Sequence, residues 1–360
     1  MIPPSLAPSP PGGSAGALAS HGIDRTAIVE AAARVEASVP QRHRIAFAGM
    51  AEELATPDTD LRVYAFGTSA FQDALSPGGA PEPREPGEGC SNLLVPADRS
   101  SSSPMVLKNR DIKSRGFRPQ VVLEVPPLGP YNGFLTTTTA GHVLIYQGVN
   151  SAGLVVANTF VDNRREGVPE ADRLRNGVIV RDLLERSDSV QEAIDRARAL
   201  PTGTAKGLTL FLADDANAEL LEVDPAEERV EGVADGITAR TNHFPGMAET
   251  GAPSTALRLR RLRELIEGLP AEVEPRDLEQ VARDHRHGPG ANSICRHPTT
   301  GDGDSERLTE STTVGSAVFV GGDARMRAGQ GHPCEQQPAA YRLRHETLGA
   351  FEERAAVADR

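Results

Sequence analysis

The sequence predicts an α+β protein with helices lying outside packed sheets, and three observations carry that reading. Runs rich in Val, Leu and Ile cluster from residue 90 onward, helical stretches interrupt them, and strand-like runs return after each helical block. At 360 residues the chain has room for one large or two modest domains whose core needs no covalent staples.

The elements follow in order. The opening MIPPSLAPSPPGGSAGALAS has no basic start and no continuous apolar stretch, so residues 1–23 read as a disordered tail. Residues 24–54, beginning IDRTAIVEAAARVEASV, place apolar side chains at helical spacing and predict one or two helices. PGGAPEPREPGEG at 77–89 crowds Pro, Gly and Glu together and predicts an exposed linker. Composition changes sharply at Cys90. From there SNLLVPA, PMVLKNRDI, QVVLEVP, HVLIYQGV and GLVVANTFV read as strands. NGVIVRDLLER reads as a helix, and Ser189 with Glu192 forms a capping-box pattern ahead of AIDRARAL. Strands resume with GLTLFLAD, AELLEVD and ITARTNHF. Helices are expected at 254–268 and 276–284, with NSICR and GSAVFV as the last strands. No internal repeat is present.

Composition removes several function classes. The net charge of -12 disfavours a nucleic-acid partner, because an acidic surface repels phosphate. Only Lys108, Lys113 and Lys206 are lysines, leaving 35 of the 38 basic residues as arginine. Acidity with few lysines suits either a salt-adapted cytosol or a genome that favours arginine codons. Three cysteines cannot form a disulfide framework, so a reducing, cytoplasmic compartment is expected. No apolar run approaches the length of a membrane span.

Chemistry concentrates at Gly89–Cys90, where a cysteine follows a glycine after an acidic linker and opens a strand. Glycine allows a strained turn that brings the thiol onto the preceding carbonyl. Attack there would convert the amide into a thioester, and water would release residues 1–89. The new α-amine, with a pKa of about 7.7–8.0, could then serve the thiol as its own base. The competing reading is a buried cysteine acting as a small hydrophobe.

Six further segments bear on that choice: KNRDI at 108–112, GVNSAGLVVANTF at 148–160, TNHF at 241–244, STALRLRRL at 254–262, SICRHP at 293–298 and GHPC at 331–334. In this order they resemble the acyl-coenzyme A:6-aminopenicillanate acyltransferase family. These are self-processing N-terminal-nucleophile (Ntn) hydrolases related to choloylglycine hydrolases and penicillin V acylases. The resemblance spans roughly residues 85–340. It implies a four-layer αββα sandwich, with 24–89 a helical pro-segment plus linker and 90–360 the catalytic domain.

By the same resemblance Cys90 is the nucleophile and Asp111 orients the new amine. Asn158 and Asn242 form an oxyanion pocket, and Arg258 reaches the active-site carboxylate. Lys108 stands where the related choloylglycine hydrolases usually carry arginine, which puts a substrate contact there in doubt. The implied partner is a small acyl amide or acyl thioester. The amphipathic pattern of 24–54 adds the expectation that these helices cover the site and stay associated as a second chain after cleavage. A non-catalytic member that binds such a ligand uncleaved, and a bile-salt-hydrolase-like amidase without transferase activity, are the alternatives.

No cofactor and no metal are expected. Cys295, His297, His332 and Cys334 are rich in donors, but Cys-x-His and His-x-Cys lack the two-to-four-residue gap usual in structural zinc sites. No G-x-S-x-G elbow, G-x-G-x-x-G or P-loop sequence is present.

Overall fold

Most strands in the computed structural model are buried on both faces, which explains why they read as nearly unbroken apolar runs rather than alternating patterns. The structure describes residues 25–54, 57–67, 89–113, 119–161, 174–199, 207–223, 228–232, 236–245, 253–299 and 310–344. The expected tail at 1–23 and residues 77–88 of the expected linker lie outside them.

Three helices open the described chain: α1 (Arg25–Ala37), α2 (Gln41–Glu53) and α3 (Asp58–Phe66). Pro40 and Pro57 directly precede α2 and α3, where a fixed φ and a missing N–H suit the start of a helix. The sequence reading did not include α3.

The strands form two antiparallel sheets. One has the order β10 (Thr238–Arg240), β1 (Gly89–Val95), β2 (Met105–Ile112), β11 (Thr312–Val320), β12 (Arg325–Gln330) and β13 (Ala339–Arg342). The other runs in chain order: β3 (Gln120–Val125), β4 (Phe134–Thr139), β5 (Gln147–Asn150), β6 (Val155–Val161), β7 (Gly207–Ala213), β8 (Ala218–Val223) and β9 (Glu228–Gly232).

Alternation along β1 shows how the layers stack. Leu94 points between the sheets, where it packs with Val106, Val155, Phe211 and Phe319. Leu93 and Val95 point outward under α6 (Pro253–Glu267) and α7 (Pro275–Ala282), against Leu259, Leu262 and Leu278. On the far side α4 (Asn176–Arg186) and α5 (Val190–Ala199) cover Val156, Leu208, Leu210 and Leu212 with Ile179, Leu183, Leu184 and Ile194. The result is the four-layer αββα sandwich. Each buried aliphatic side chain contributes on the order of 1.5–3 kcal/mol.

Some expected strands differ. NSICR is a loop, held by Cys295 N–H to Asp284 O and Thr313 N–H to Arg296 O. Of HVLIYQGV, only the part from Gln147 is strand; Val143 and Leu144 turn away into a core shared with α1–α3. ITARTNHF is strand only over Thr238–Arg240. β4 escaped notice because four of its six residues are threonine, and Thr136 satisfies its hydroxyl on Gln147 O at 2.5 Å. Half of the Ser189–Glu192 box forms: Glu192 N–H reaches Ser189 Oγ at 3.3 Å, while its carboxylate takes the N–H of Asp188.

The first three helices dock on the sandwich. Phe47, Leu61, Ala65 and Phe66 pack with Val143, Leu144 and Val178. Arg42 reaches Asp182 at 2.6 Å and Glu185 at 2.8 Å, and His43 meets Glu185 at 2.9 Å. No helix among the described residues is long and apolar enough to cross a membrane.

Candidate active site

Strand β1 pairs with β2 along its whole length, but β10 joins it only between Asn92 and Leu94. On the β10 side the main chain of Cys90 therefore has no strand to bond, and two side chains replace one. Cys90 N–H donates to Asn242 Oδ1 at 3.0 Å, and Arg258 Nη1 donates to Cys90 O at 2.7 Å. Arg258 also donates to Ser91 Oγ at 3.0 Å and, through Nη2, to Asn242 Oδ1 at 2.9 Å.

Asn242 is fixed from every side. Its Nδ2 donates to Thr159 Oγ1 and Phe160 O, both at 3.0 Å, and its N–H donates to Thr255 Oγ1 at 2.8 Å. Thr255 and Arg258 lie one turn apart on α6, so a single helix end orients both Asn242 and the Cys90 carbonyl. With Nδ2 committed to β6, Asn242 presents oxygen to Cys90. Burial and the charges of Arg258, Arg263 and Arg240 lower the pKa of the neighbouring His243.

Cys90, Lys108, Asp111, Tyr146 and Asn158 line a cavity of about 40 Å³. Lys108 sits diagonally across from Cys90 on β2 and is fully buried. Its Nζ donates to Asn158 O, to Asn158 Oδ1 at 3.2 Å and to Tyr146 O at 3.4 Å. Burial pulls its pKa below the ordinary lysine value, while the charge of and hydrogen bond with Cys90 pull it back up. Because Lys108 takes Oδ1 of Asn158, the Nδ2 of that amide is left to donate.

Asp111 lies opposite Gly89 in the β1–β2 register. Its Oδ1 accepts from Thr313 Oγ1 at 2.7 Å, and its Oδ2 lies 3.0 Å from Arg296 Nε. A β-bulge between Thr313 and Gly315 interrupts the register here, and Thr313 Oγ1 also accepts from Arg296 N–H at 2.8 Å.

The expected strained turn at Gly89 is absent: Gly89 opens β1 and is not among the residues with left-handed φ. Glycine serves another purpose there. A Cβ would lie 2.6–2.8 Å from the buried Arg296 guanidinium, so any other residue would push that side chain from its place against the chain.

A second cavity of about 310 Å³ shares Arg110 with the first and is lined by Gln120, Gln147, Gln336 and Tyr341, among others. Arg110 donates to Gln120 Oε1 at 2.6 Å and lies over the Tyr146 ring. The sequence reading singled out Cys90, Asp111, Asn158, Asn242 and Arg258, and all five lie around this one point, but two roles differ from those expected. Asn242 turns its oxygen, not an N–H, toward Cys90, and the arginine at the Asp111 carboxylate is Arg296, while Arg258 bonds Cys90 O, Ser91 and Asn242. It missed Thr159, Thr255 and Thr313, whose hydroxyls carry no sequence signal. It quoted Arg296 inside SICRHP without giving it a role.

A family model described as "Acyl-coenzyme A:6-aminopenicillanic acid acyl-transferase" matches residues 98–302, a span that holds Asp111, Asn158, Asn242 and Arg258 and begins after Cys90. No curated protein sequence matches the chain. Among solved structures, penicillin V acylase from Agrobacterium tumefaciens is similar at 16% identity, covering 70% of this chain and 84% of that one, with a TM-score of 0.47. The Caenorhabditis elegans N-acylethanolamine-hydrolyzing acid amidase ortholog matches at 13% identity, covering 71% and 100%, with a TM-score of 0.43. A variant of conjugated bile acid hydrolase from Clostridium perfringens matches at 10% identity, covering 72% and 100%, with a TM-score of 0.35.

Proposed function

Because the chain belongs to the acyl-coenzyme A:6-aminopenicillanic acid acyl-transferase family, we propose that it is a self-processing cysteine Ntn acyltransferase or amidohydrolase working through a Cys90 acyl-enzyme. The observation that carries this reading is the setting of Cys90. Side chains rather than a strand hold its main-chain N–H and C=O, its own side chain meets the buried Lys108, and Asn158 lines the same cavity.

In the precursor, the Cys90 sulfur attacks the Gly89 carbonyl, the amide nitrogen leaves with a proton, and water hydrolyses the resulting thioester. The products are a carboxylate on Gly89 and a free α-amine on Cys90. Asn242 Oδ1, which accepts the peptide N–H before cleavage, accepts an amine N–H afterwards. That amine takes the thiol proton, the thiolate attacks the substrate carbonyl, and the proton passes to the leaving amine. Asn158 Nδ2 is the donor for the developing oxyanion, a contribution of about 2.7–4 kcal/mol for one well-aimed donor. Water or an acceptor amine then resolves the acyl-enzyme.

A small acyl amide or acyl thioester would occupy the 310 Å³ cavity, whose volume suits a small molecule and whose glutamines can bond a carbonyl or amide. Residues 90–360 would be the catalytic domain and 24–89 a pro-segment that remains docked.

Intact mass of the purified protein beside Cys90→Ala tests the reading. Wild type is expected to separate under denaturing conditions into chains of residues 1–89 and 90–360, with Cys90 at the new N-terminus, while the variant stays whole. Two uncut, folded proteins would instead favour a member that binds its ligand without processing.

A further inference from the structure

Four side chains outside the Cys90 site converge from three segments: His285 beyond the end of α7, Cys295 and His297 in the loop before β11, and Cys334 after β12. One donor atom from each lies within 4.8 Å of the others. Cys295 Sγ is 3.7 Å from Cys334 Sγ and 3.5 Å from His297 Nε2, and His297 Nε2 is 3.0 Å from Cys334 Sγ.

We propose that His285, Cys295, His297 and Cys334 form a Cys₂His₂ site for one zinc ion, which ties the loop carrying Arg296 to the end of α7 and to the segment after β12. Zn–S bonds of about 2.3 Å and Zn–N bonds of about 2.0–2.1 Å give tetrahedral edges of about 3.8 Å between sulfurs and about 3.5 Å between sulfur and nitrogen. Two of the observed separations already match. The third, at 3.0 Å, is about 0.5 Å short of that edge, so the His297–Cys334 pair opens by that much when the ion enters.

The surroundings of the two histidines support the same assignment. His285 Nδ1 lies 2.9 Å from Arg283 O, which holds a proton on Nδ1 and leaves Nε2 with its lone pair. His297 Nδ1 faces Glu335 Oε1 at 3.7 Å, so a carboxylate stands behind this imidazole as well. Metal-bound histidines are held in this way, with the remote nitrogen on a carbonyl or carboxylate. The His332 ring stacks on His297 at 4.1 Å and fixes its plane. Two thiolates and two imidazoles suit a borderline-soft cation and fill a tetrahedral shell, which makes the site structural rather than catalytic.

The sequence argument against a metal does not reach this cluster. It looked for ligand spacing within one short segment, whereas folding brings these ligands together from positions 285, 295–297 and 334. Cys295 is buried, His297 and Cys334 are half-buried and His285 is exposed, so a cation has an entry path.

The consequence for the Cys90 site runs through Arg296, which sits between two ligands and presses its guanidinium against Gly89 and Asp111. The full-length chain, purified without chelator, is expected to hold one zinc per molecule by elemental analysis. After chelator treatment under reducing conditions, one equivalent of Co²⁺ should produce the absorption of a tetrahedral cobalt–thiolate centre and raise the melting temperature. Cys334→Ser should lose that absorption. If the variant does not fold, the cobalt titration of wild type decides alone. Absence of both retained zinc and a cobalt–thiolate band in the folded, reduced protein would overturn the proposal. So would a Cys295–Cys334 disulfide in the protein as purified, which would mark the pair as a redox couple instead.

Discussion

At the scale of single residues, Lys108, buried beside Cys90, carries the first prediction. Its ammonium has three carbonyl-type acceptors, which favour the charged form against burial, and the proposed self-cleavage would use that charge to stabilise a Cys90 thiolate. Burial nevertheless draws its pKa down from 10.5. Self-cleavage should therefore fall off at alkaline pH, with a limb below the ordinary lysine value, as Lys108 loses its proton and the thiolate loses its cation. Lys108→Arg, which stays charged throughout, should abolish that limb. Lys108→Met should slow cleavage by about 10²-fold or more, the order lost when an electrostatic partner of the reacting group is removed. Rates of fragment appearance against pH for the three proteins decide this, and an unchanged alkaline limb in Lys108→Arg would sink it. The residue type and position of Asn242 were legible in TNHF, but not its orientation. Which end of the amide faces Cys90 depends on Thr159, Phe160 and Arg258, which are remote in sequence.

At the scale of elements, β1, β6 and β7 were legible as apolar runs, and β4, β9, β12 and β13 were not. β4 is rich in threonine, β12 alternates arginine with Met326 and Ala328, and β13 is short and exposed on its outer side. Helix α2 carries a prediction. His43 is buried against Glu185, with Arg42 and Arg181 beside the same carboxylate. Burial and the two arginine charges hold the pKa of His43 below 6.5, outweighing its bond to Glu185. Burial acts to raise the pKa of Glu185, but His43 and Arg181 bring it to about 2. Both groups bind fewer protons docked than free, so each favours docking at higher pH. The His43 contribution is complete above about 6.5 and fades as pH falls through its lowered value. The Glu185 contribution fades only between about 4.5 and about 2. Between pH 7.5 and 5 the urea midpoint of the uncut Cys90→Ala chain should fall, and adding His43→Asn should flatten that fall. Equal slopes in the two proteins would assign the pH dependence elsewhere.

At the scale of the whole molecule, the first three helices decide how much room Cys90 has. Phe47, Phe66 and Leu61 lose nearly all exposure in a core that includes Val143, Leu144 and Val178, and Tyr64 meets His142 edge-on at 5.3 Å. The same stretch of chain ends in Tyr146, which packs against that core and lines the cavity of Cys90. The helices therefore brace one wall of a space of about 40 Å³, too small for a substrate, beside the 310 Å³ cavity that opens past Arg110. Burial at about 1.5–3 kcal/mol for each large side chain, together with the Arg42 pairs to Asp182 and Glu185, would act to hold the segment in place after the proposed cut. Cleavage at Gly89–Cys90 should thus leave a 1:1 complex that elutes as one species at neutral pH and moderate salt and separates only in denaturant. Removing the fragment should expose Val143 and Leu144 and loosen Tyr146. Native mass spectrometry of the processed protein reads the outcome directly. A complex at the precursor mass plus one water makes the helices a lasting wall of the site. A free fragment of residues 1–89 would instead make them a cover for the precursor alone.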